Sequence, residues 1–252
     1  MERISIELSR RCEKACAFCY NHSGPEGDGV WTLDTVVAFV TDCARHGTRF
    51  VSFGGGEPLE WPPLWALLAR LEGVVYRSLT TNGLRLDGAM DDLVAARPDK
   101  VHVSIHFPDR GAEVRRVVRQ VAALEARGVP SGVNLMVDAR QLDAARGAME
   151  ALSEAGVGPE RIVLLPRRGD HTPTPAQLAV VAGTPRFRSM SCLLACGPSP
   201  RFVSIDAQAR VAWCSYTETR RALPTLDHVG LRCALAGLGL RFCGPEALRG
   251  SV

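Results

Sequence analysis

The stretch Cys12–Tyr20, CEKACAFCY, decides how the chain is read. Its cysteines, Cys12, Cys16 and Cys19, are separated first by three residues and then by two. A loop this short curls readily, so three thiolates can converge on one metal centre. A closed structural zinc site takes four ligands, and a [4Fe–4S] cluster held wholly by protein takes four thiolates. Three thiolates on such a cluster leave one iron open to something else. The spacing by itself leaves two alternatives standing, a zinc knuckle completed by His22 or three reduced thiols.

Around this loop, short β-branched runs alternate with amphipathic helical stretches. The runs are Ile4–Leu8, Phe50–Phe53, Val74–Thr80, Val101–Phe107, Val133–Val137 and Ile162–Leu165. Helices are expected from the N-cap Thr32 to His46, from Pro62–Pro63, and over Asp87–Ala96, Gly111–Arg127 and Leu142–Ala155. This is the pattern of βα units around a parallel sheet. One face of several strands is polar: Ser5, Glu7 and Ser9; His102, Ser104 and His106; Asn134, Met136 and Asp138. A doubly wound sheet is dry on both faces, so the alternation favours a wide, incomplete barrel with a wet interior. The expected fold class is α/β, a (β/α)6 partial TIM barrel over residues 1–183.

Beyond the sixth run the character changes. Arg167–Pro175 reads as a loop, Ala176–Ala182 as a short helix and Gly183–Pro185 as a break. A small cysteine-rich module is expected at 184–252, carrying Cys192, Cys196, Cys214, Cys233 and Cys243. Within it, FVSID and VAWCSY flank Ala207–Arg210 and read as a β-hairpin with Cys214 on its second strand. Leu231–Leu240 reads as a short helix.

The run into the second loop ends in Gly54, Gly55, Gly56, Glu57, Pro58. Glycines at a strand end let backbone approach a ligand and expose its amides and carbonyls, and Glu57 supplies a fixed acceptor. The three-cysteine loop, with aromatic Phe18 and Tyr20, followed one βα unit later by this GGGEP run, resembles the radical S-adenosylmethionine (SAM) superfamily. The resemblance implies a [4Fe–4S] cluster on Cys12, Cys16 and Cys19, with SAM chelating the open iron. It implies reductive cleavage of SAM to a 5′-deoxyadenosyl radical that takes a hydrogen atom from a substrate. The GGEP motif of that family binds the methionyl amino group of SAM, largely through backbone. Ser104 and Asn134 stand where the family meets the ribose and methionyl carboxylate, and Leu165 where adenine packs. Asn82, in TTNG, has its simplest role in a turn with Gly83.

Glu7 faces the expected barrel interior, as a substrate contact or an orienter of the loop; an internal pair with an Arg is the alternative. His106, at a strand end, is a candidate substrate contact or proton donor. Cys43 sits on the apolar face of the first helix and reads as core. The cysteine-bearing hairpin resembles a twitch or SPASM-type extension, which implies one auxiliary iron–sulfur cluster on four of Cys192, Cys196, Cys214, Cys233 and Cys243. Three departures are visible: 17 residues separate Cys196 from Cys214, the dense multi-cysteine run of a full SPASM domain is missing, and Ala209 replaces the usual Gly.

Bulk properties narrow the partners. A net charge of +3 gives no electrostatic case for nucleic acid or an anionic membrane. No apolar run approaches a membrane span, and no signal-peptide pattern precedes the first strand. Nine cysteines without an export signal point to metal or redox chemistry in the cytoplasm, not a disulfide framework. The expected partners are a low-potential electron donor of flavodoxin or ferredoxin type and a peptide or small-molecule substrate. Peptide or natural-product maturation is the expected role, although no leader-binding extension precedes the first strand. A glycyl-radical-enzyme activase is the alternative within the class, and a non-catalytic iron–sulfur or zinc sensor the alternative outside it.

Overall fold

A computed structural model describes residues 1–189, 199 and 201–240. In chain order the strands are β1 (Arg3–Glu7), β2 (Phe50–Gly54), β3 (Tyr76–Thr81), β4 (Lys100–Ile105), β5 (Ser131–Val137), β6 (Ile162–Pro166), β7 (Phe202–Ile205), β8 (Arg210–Ala212) and β9 (Arg221–Ala222). The α-helices are α1 (Leu33–Arg45), α2 (Leu64–Arg70), α3 (Met90–Ala96), α4 (Gly111–Ala126), α5 (Leu142–Glu154), α6 (Pro175–Ala182) and α7 (His228–Leu235). The chain packs as two compact units. One holds residues 1–100 and the described residues of 197–242; the other holds the described residues of 101–196.

In the first unit β1, β2 and β3 are parallel, with Arg3 opposite Phe50 and Phe50 opposite Tyr76. β7 pairs with the other edge of β1, also in parallel, and β8 and β9 follow as antiparallel neighbours. One face of these strands carries Ile4, Ile6, Val51, Phe53, Leu79, Val203 and Ile205, all essentially inaccessible. Val36, Phe39, Val40 and Cys43 of α1 are equally buried, and burial of each larger side chain contributes roughly 1.5–3 kcal/mol. α1 starts where Thr32 and Thr35 form a reciprocal capping box, which satisfies donors the first turn would leave unpaired. The opposite face is polar. Ser204, Ser5, Ser52 and Ser78 lie in register across four strands, and Glu7 stands two residues beyond Ser5. In the second unit β4, β5 and β6 are parallel, with Ser104 opposite Asn134 and Met136 opposite Leu165.

The expected hairpin forms, with two differences. It does not stand apart: β7 is a direct neighbour of β1, so this part of the stretch 184–252 packs with the first hundred residues. The second strand ends at Ala212, which leaves Cys214 beyond it in a bend. The last helix runs His228–Leu235 rather than Leu231–Leu240, because Asp227 caps it early by accepting from Gly230 N at 2.7 Å. Cys192, Cys196 and Cys243 lie outside the described residues.

Candidate active site

The cysteine loop leaves β1 and is closed by backbone pairing. Cys12 N donates to Gly24 O at 2.9 Å, and Gly24 N donates back to Arg10 O at 3.0 Å. Inside it, Cys19 N bonds Cys16 O and His22 N bonds Cys19 O. Ala15 and His22 take left-handed backbone (φ 42° and 55°), which lets so short a segment reverse twice. None of the three is in a disulfide; Cys12 is buried, and Cys16 and Cys19 are half-buried. Burial raises the pKa of the Cys12 thiol.

The GGGEP segment is fastened to this loop. Leu8 N bonds Gly54 O, Gly56 N bonds Ser9 O at 2.8 Å, and Glu57 N bonds Arg11 O at 2.7 Å. The glycines make this approach possible. A Cβ on Gly55 would stand 2.4 Å from Ser9 O, and one on Gly56 2.0 Å from Arg11 O. Gly54 differs: a Cβ there would meet nothing within 4 Å, so the end of β2 opposite Glu7 faces open space.

Glu57 turns inward. Its carboxylate accepts from Leu59 N at 3.1 Å, Thr81 Oγ1 at 2.7 Å and Asn82 N at 2.7 Å, and it is 1% exposed. Pro58, also buried, starts a 3-10 turn. The fixed acceptor expected at Glu57 is thus engaged by the end of β3, not presented at the surface. Burial pushes its carboxyl up to about 7 despite those three donors. A carboxyl with a raised folded-state pKa favours folding most below its unfolded pKa, and that contribution is lost as pH rises through about 7. Wild type should therefore lose about 2–3 kcal/mol more stability than Glu57→Gln between pH 4.5 and 8. Denaturant melts across that range check this; parallel curves would mean the carboxyl titrates normally.

Asn82 makes the expected turn, accepting from Leu84 N at 2.8 Å, but it does more. Its Nδ2 donates to Cys12 Sγ at 3.6 Å. Thr81, Asn82 and Glu57 thus tie the second motif to the first cysteine, a link that neither motif shows alone.

Glu7, 2% exposed, anchors a second cluster on the polar face. Asn21 Nδ2 donates to Glu7 Oε2 at 3.2 Å, and the Tyr20 hydroxyl lies against the same carboxylate. Asn21 Oδ1 accepts from Ser23 Oγ at 2.6 Å and from Cys19 Sγ at 2.9 Å. Arg220 stands 4.0 Å from Glu7 and 3.9 Å from Asp206, and donates to Ser215 O at 2.7 Å. The Arg pairing considered from sequence is therefore present, from a position no local pattern marked. Burial raises the Glu7 pKa, with Arg220 opposing it. Tyr20 exposes part of its ring while its hydroxyl is enclosed, and that enclosure, then the Glu7 charge, drives its pKa well up. Its ring lies 5.0 Å from that of Tyr216, whose backbone N donates to Cys214 Sγ at 3.5 Å. Glu7 Oε1, Arg220 Nη1 and Ser204 Oγ are buried with no hydrogen-bond partner among the described residues.

The remaining candidates belong to the second unit. Ser104 and Asn134 are buried register neighbours on β4 and β5, and Leu165 is half-buried on β6. His106 follows β4; its backbone N donates to Glu113 Oε1 at 2.6 Å, as does that of Phe107 at 3.3 Å, so α4 fixes this strand end. At the end of β5, Asp138 resists the upward push of burial because Arg140 and Arg167 hydrogen-bond it, and they hold it at about 2. Cys43 is inaccessible, its thiol pushed up to about 12 by burial, as a core residue should be. Cys233 is exposed on α7.

With this geometry in place, the comparison with known proteins is decisive for the family. Residues 6–172 match the Radical SAM superfamily. The chain belongs to the radical SAM superfamily. Among curated relatives it is 32% identical, over 107 residues, to a probable GTP 3',8-cyclase of Methanocella arvoryzae; the match covers 42% of this chain and 35% of that protein. A second such relative, from Methanosarcina mazei, is 29% identical with 45% of its length covered, so the chain spans less than half of these relatives. Among solved structures, SuiB of Streptococcus suis bound to precursor peptide SuiA superposes with a TM-score of 0.71 at 13% identity, covering 87% of this chain and 62% of that one. Native anSMEcpe with bound AdoMet gives 0.65 at 14% identity, covering 92% and 80%. These likenesses bear out the radical SAM α/β fold, a partial barrel.

A radical SAM protein is an enzyme that uses SAM and a [4Fe–4S] cluster. The residues here fit both. The loop offers three thiols outside any disulfide, and the end of β2 at Gly54 is open. Among the described residues no three His, Cys, Asp or Glu side chains stand close enough for a single ion, but a cube of iron and sulfide holds its thiolates farther apart than one ion does. Among the described residues no helix is long and apolar enough to cross a membrane.

Proposed function

We propose that this enzyme abstracts a hydrogen atom from a peptide substrate, in peptide or natural-product maturation. The observation that carries the reading is the fastening of the three-thiol loop to the open strand end at Gly54, through Gly56 N–Ser9 O and Glu57 N–Arg11 O. Cys12, Cys16 and Cys19 would hold the cluster. The Gly54–Pro58 backbone would bind SAM's amino group, with Phe18 and Tyr20 closing the loop beside it. Ser104, Asn134 and Leu165 are the candidate ribose, carboxylate and adenine contacts. Bound together, the cluster and SAM supply one-electron cleavage of the sulfonium and hydrogen-atom abstraction. A flavodoxin- or ferredoxin-type protein is the proposed electron source. The cysteines of 184–252 are proposed to hold an auxiliary cluster, Cys214 entering it beside Tyr216.

The peptide reading draws on two supports. Both solved relatives above share the fold, and one is bound to its precursor peptide. The polar face of the first unit also offers Glu7 Oε1 as an acceptor and Arg220 Nη1 as a donor, both unsatisfied, which suits an amide. Glu7 and Asp206 carry two negative charges there, Arg220 and Arg210 two positive, so this patch has no net attraction for a polyphosphate. Glu7 would orient the substrate amide, and His106 would contact substrate or donate a proton. A nucleotide substrate is the second reading, favoured by the name of the curated relatives. Anaerobic assays with dithionite and SAM separate the two. The peptide reading expects short peptides, and not GTP, to raise 5′-deoxyadenosine formation above the substrate-free rate. Stimulation by GTP alone would overturn it, and no 5′-deoxyadenosine at all would overturn the radical chemistry.

A further inference from the structure

We propose that Asn82 sets the reduction potential of the cluster by donating an N–H···S hydrogen bond to Cys12. This rests on the reading that Cys12 holds the cluster. Nδ2 of Asn82 stands 3.6 Å from Cys12 Sγ, and the side chain is 4% exposed. Amide ends are easily confused, but here the orientation is fixed: Oδ1 accepts from Leu84 N at 2.8 Å, so the NH2 end faces the sulfur. The backbone is fixed as well, because Asn82 N donates to Glu57 Oε2 at 2.7 Å, and Thr81 Oγ1, bound to the same carboxylate, accepts from Gly83 N. Glu57 is thus a strut for a donor aimed at a cysteine sulfur.

The physical consequence has a definite sign. Reduction adds negative charge, part of which resides on the cysteine sulfurs. A donor held against one of them stabilises the reduced state more than the oxidised state, which raises the potential. In a buried setting the bond is not diluted by water. Asn82 acts through Cys12, so it is a positioning residue, and its effect should show in the potential before it shows in turnover.

The test uses anaerobically reconstituted full-length protein with iron counted, and a potential titration followed by electron paramagnetic resonance. Asn82→Asp keeps the acceptor for Leu84 N and removes the donor. Asn82→Leu removes the donor without adding charge. At a fixed applied potential the reduced-to-oxidised ratio should fall about tenfold in Asn82→Asp, equivalent to about 59 mV for a one-electron couple, and severalfold in Asn82→Leu. In D2O the reduced wild-type cluster should also show a coupled exchangeable deuteron that Asn82→Asp lacks. That measurement decides the matter even where Asn82→Leu takes up no iron. Wild-type potential in Asn82→Leu at full iron content, or an unchanged deuteron signal in Asn82→Asp, would overturn the proposal. Failure of the underlying reading looks different: a Cys12→Ala protein would keep the full wild-type iron content.

Discussion

Replacing Cys16 with Ala should abolish 5′-deoxyadenosine formation and remove the iron bound by the N-terminal loop. Cys16 is in no disulfide, half-buried and held by the turn in which its carbonyl accepts from Cys19 N at 2.9 Å. Two thiolates, from Cys12 and Cys19, would remain for a cluster that needs three to leave a single iron open. The loss should be complete to the limit of detection, because the reaction has no slower route without a reduced cluster. Cys43→Ala is the control. That thiol lies in the core of the first unit, so its removal should cost about 1 kcal/mol of stability and no iron. Iron counting and product analysis on the two proteins decide between ligand and bystander. Continued SAM cleavage by Cys16→Ala would mean that the cluster sits elsewhere.

The sequence carries the βα repeat because each unit advertises itself locally. Ile4, Ile6 and Leu8 alternate with polar residues, Thr32 and Thr35 announce a helix start, and Gly54–Gly56 break a strand. Local patterns say nothing about which distant strands meet. β7 lies about 150 residues of chain beyond β2, yet both flank β1, and four serines fall into one register only through that pairing. Arg220 could not be matched to Glu7 for the same reason: 213 positions separate them, and only the hairpin's return to β1 brings them to 4.0 Å. Glu57 shows a different limit. Its place in a Gly-rich motif was legible, but whether its carboxylate faced a ligand or its own chain depended on Thr81 and Asn82, which read merely as a turn. Cys192, Cys196 and Cys243 fall outside the described residues, so the proposed auxiliary cluster rests on sequence resemblance.

Gly56→Ala and Gly54→Ala should part company, although the two glycines are two residues apart in one motif. At Gly56 a methyl group would lie 2.0 Å from the carbonyl oxygen of Arg11 and 2.6 Å from its carbon. Both are backbone atoms that no rotamer can move aside. The GGGEP segment would have to withdraw from residues 9–11, breaking Gly56 N–Ser9 O and Glu57 N–Arg11 O and freeing the base of the cysteine loop. A loss of about 3 kcal/mol in the iron-free protein is expected, together with failure to take up iron. At Gly54 the methyl group meets nothing within 4 Å, and the backbone needs no positive φ. Stability there should change by less than about 0.5 kcal/mol. The same open space is where SAM's methionyl end is proposed to lie, so SAM affinity should fall about tenfold, a loss of 1.4 kcal/mol. Denaturant melts of the iron-free proteins and equilibrium dialysis of SAM against the reconstituted ones separate the two effects. If Gly54→Ala bound SAM as tightly as wild type, the open edge of β2 would not be the SAM seat. If Gly56→Ala folded and loaded iron normally, the tie between the two motifs would not be what positions the cysteines.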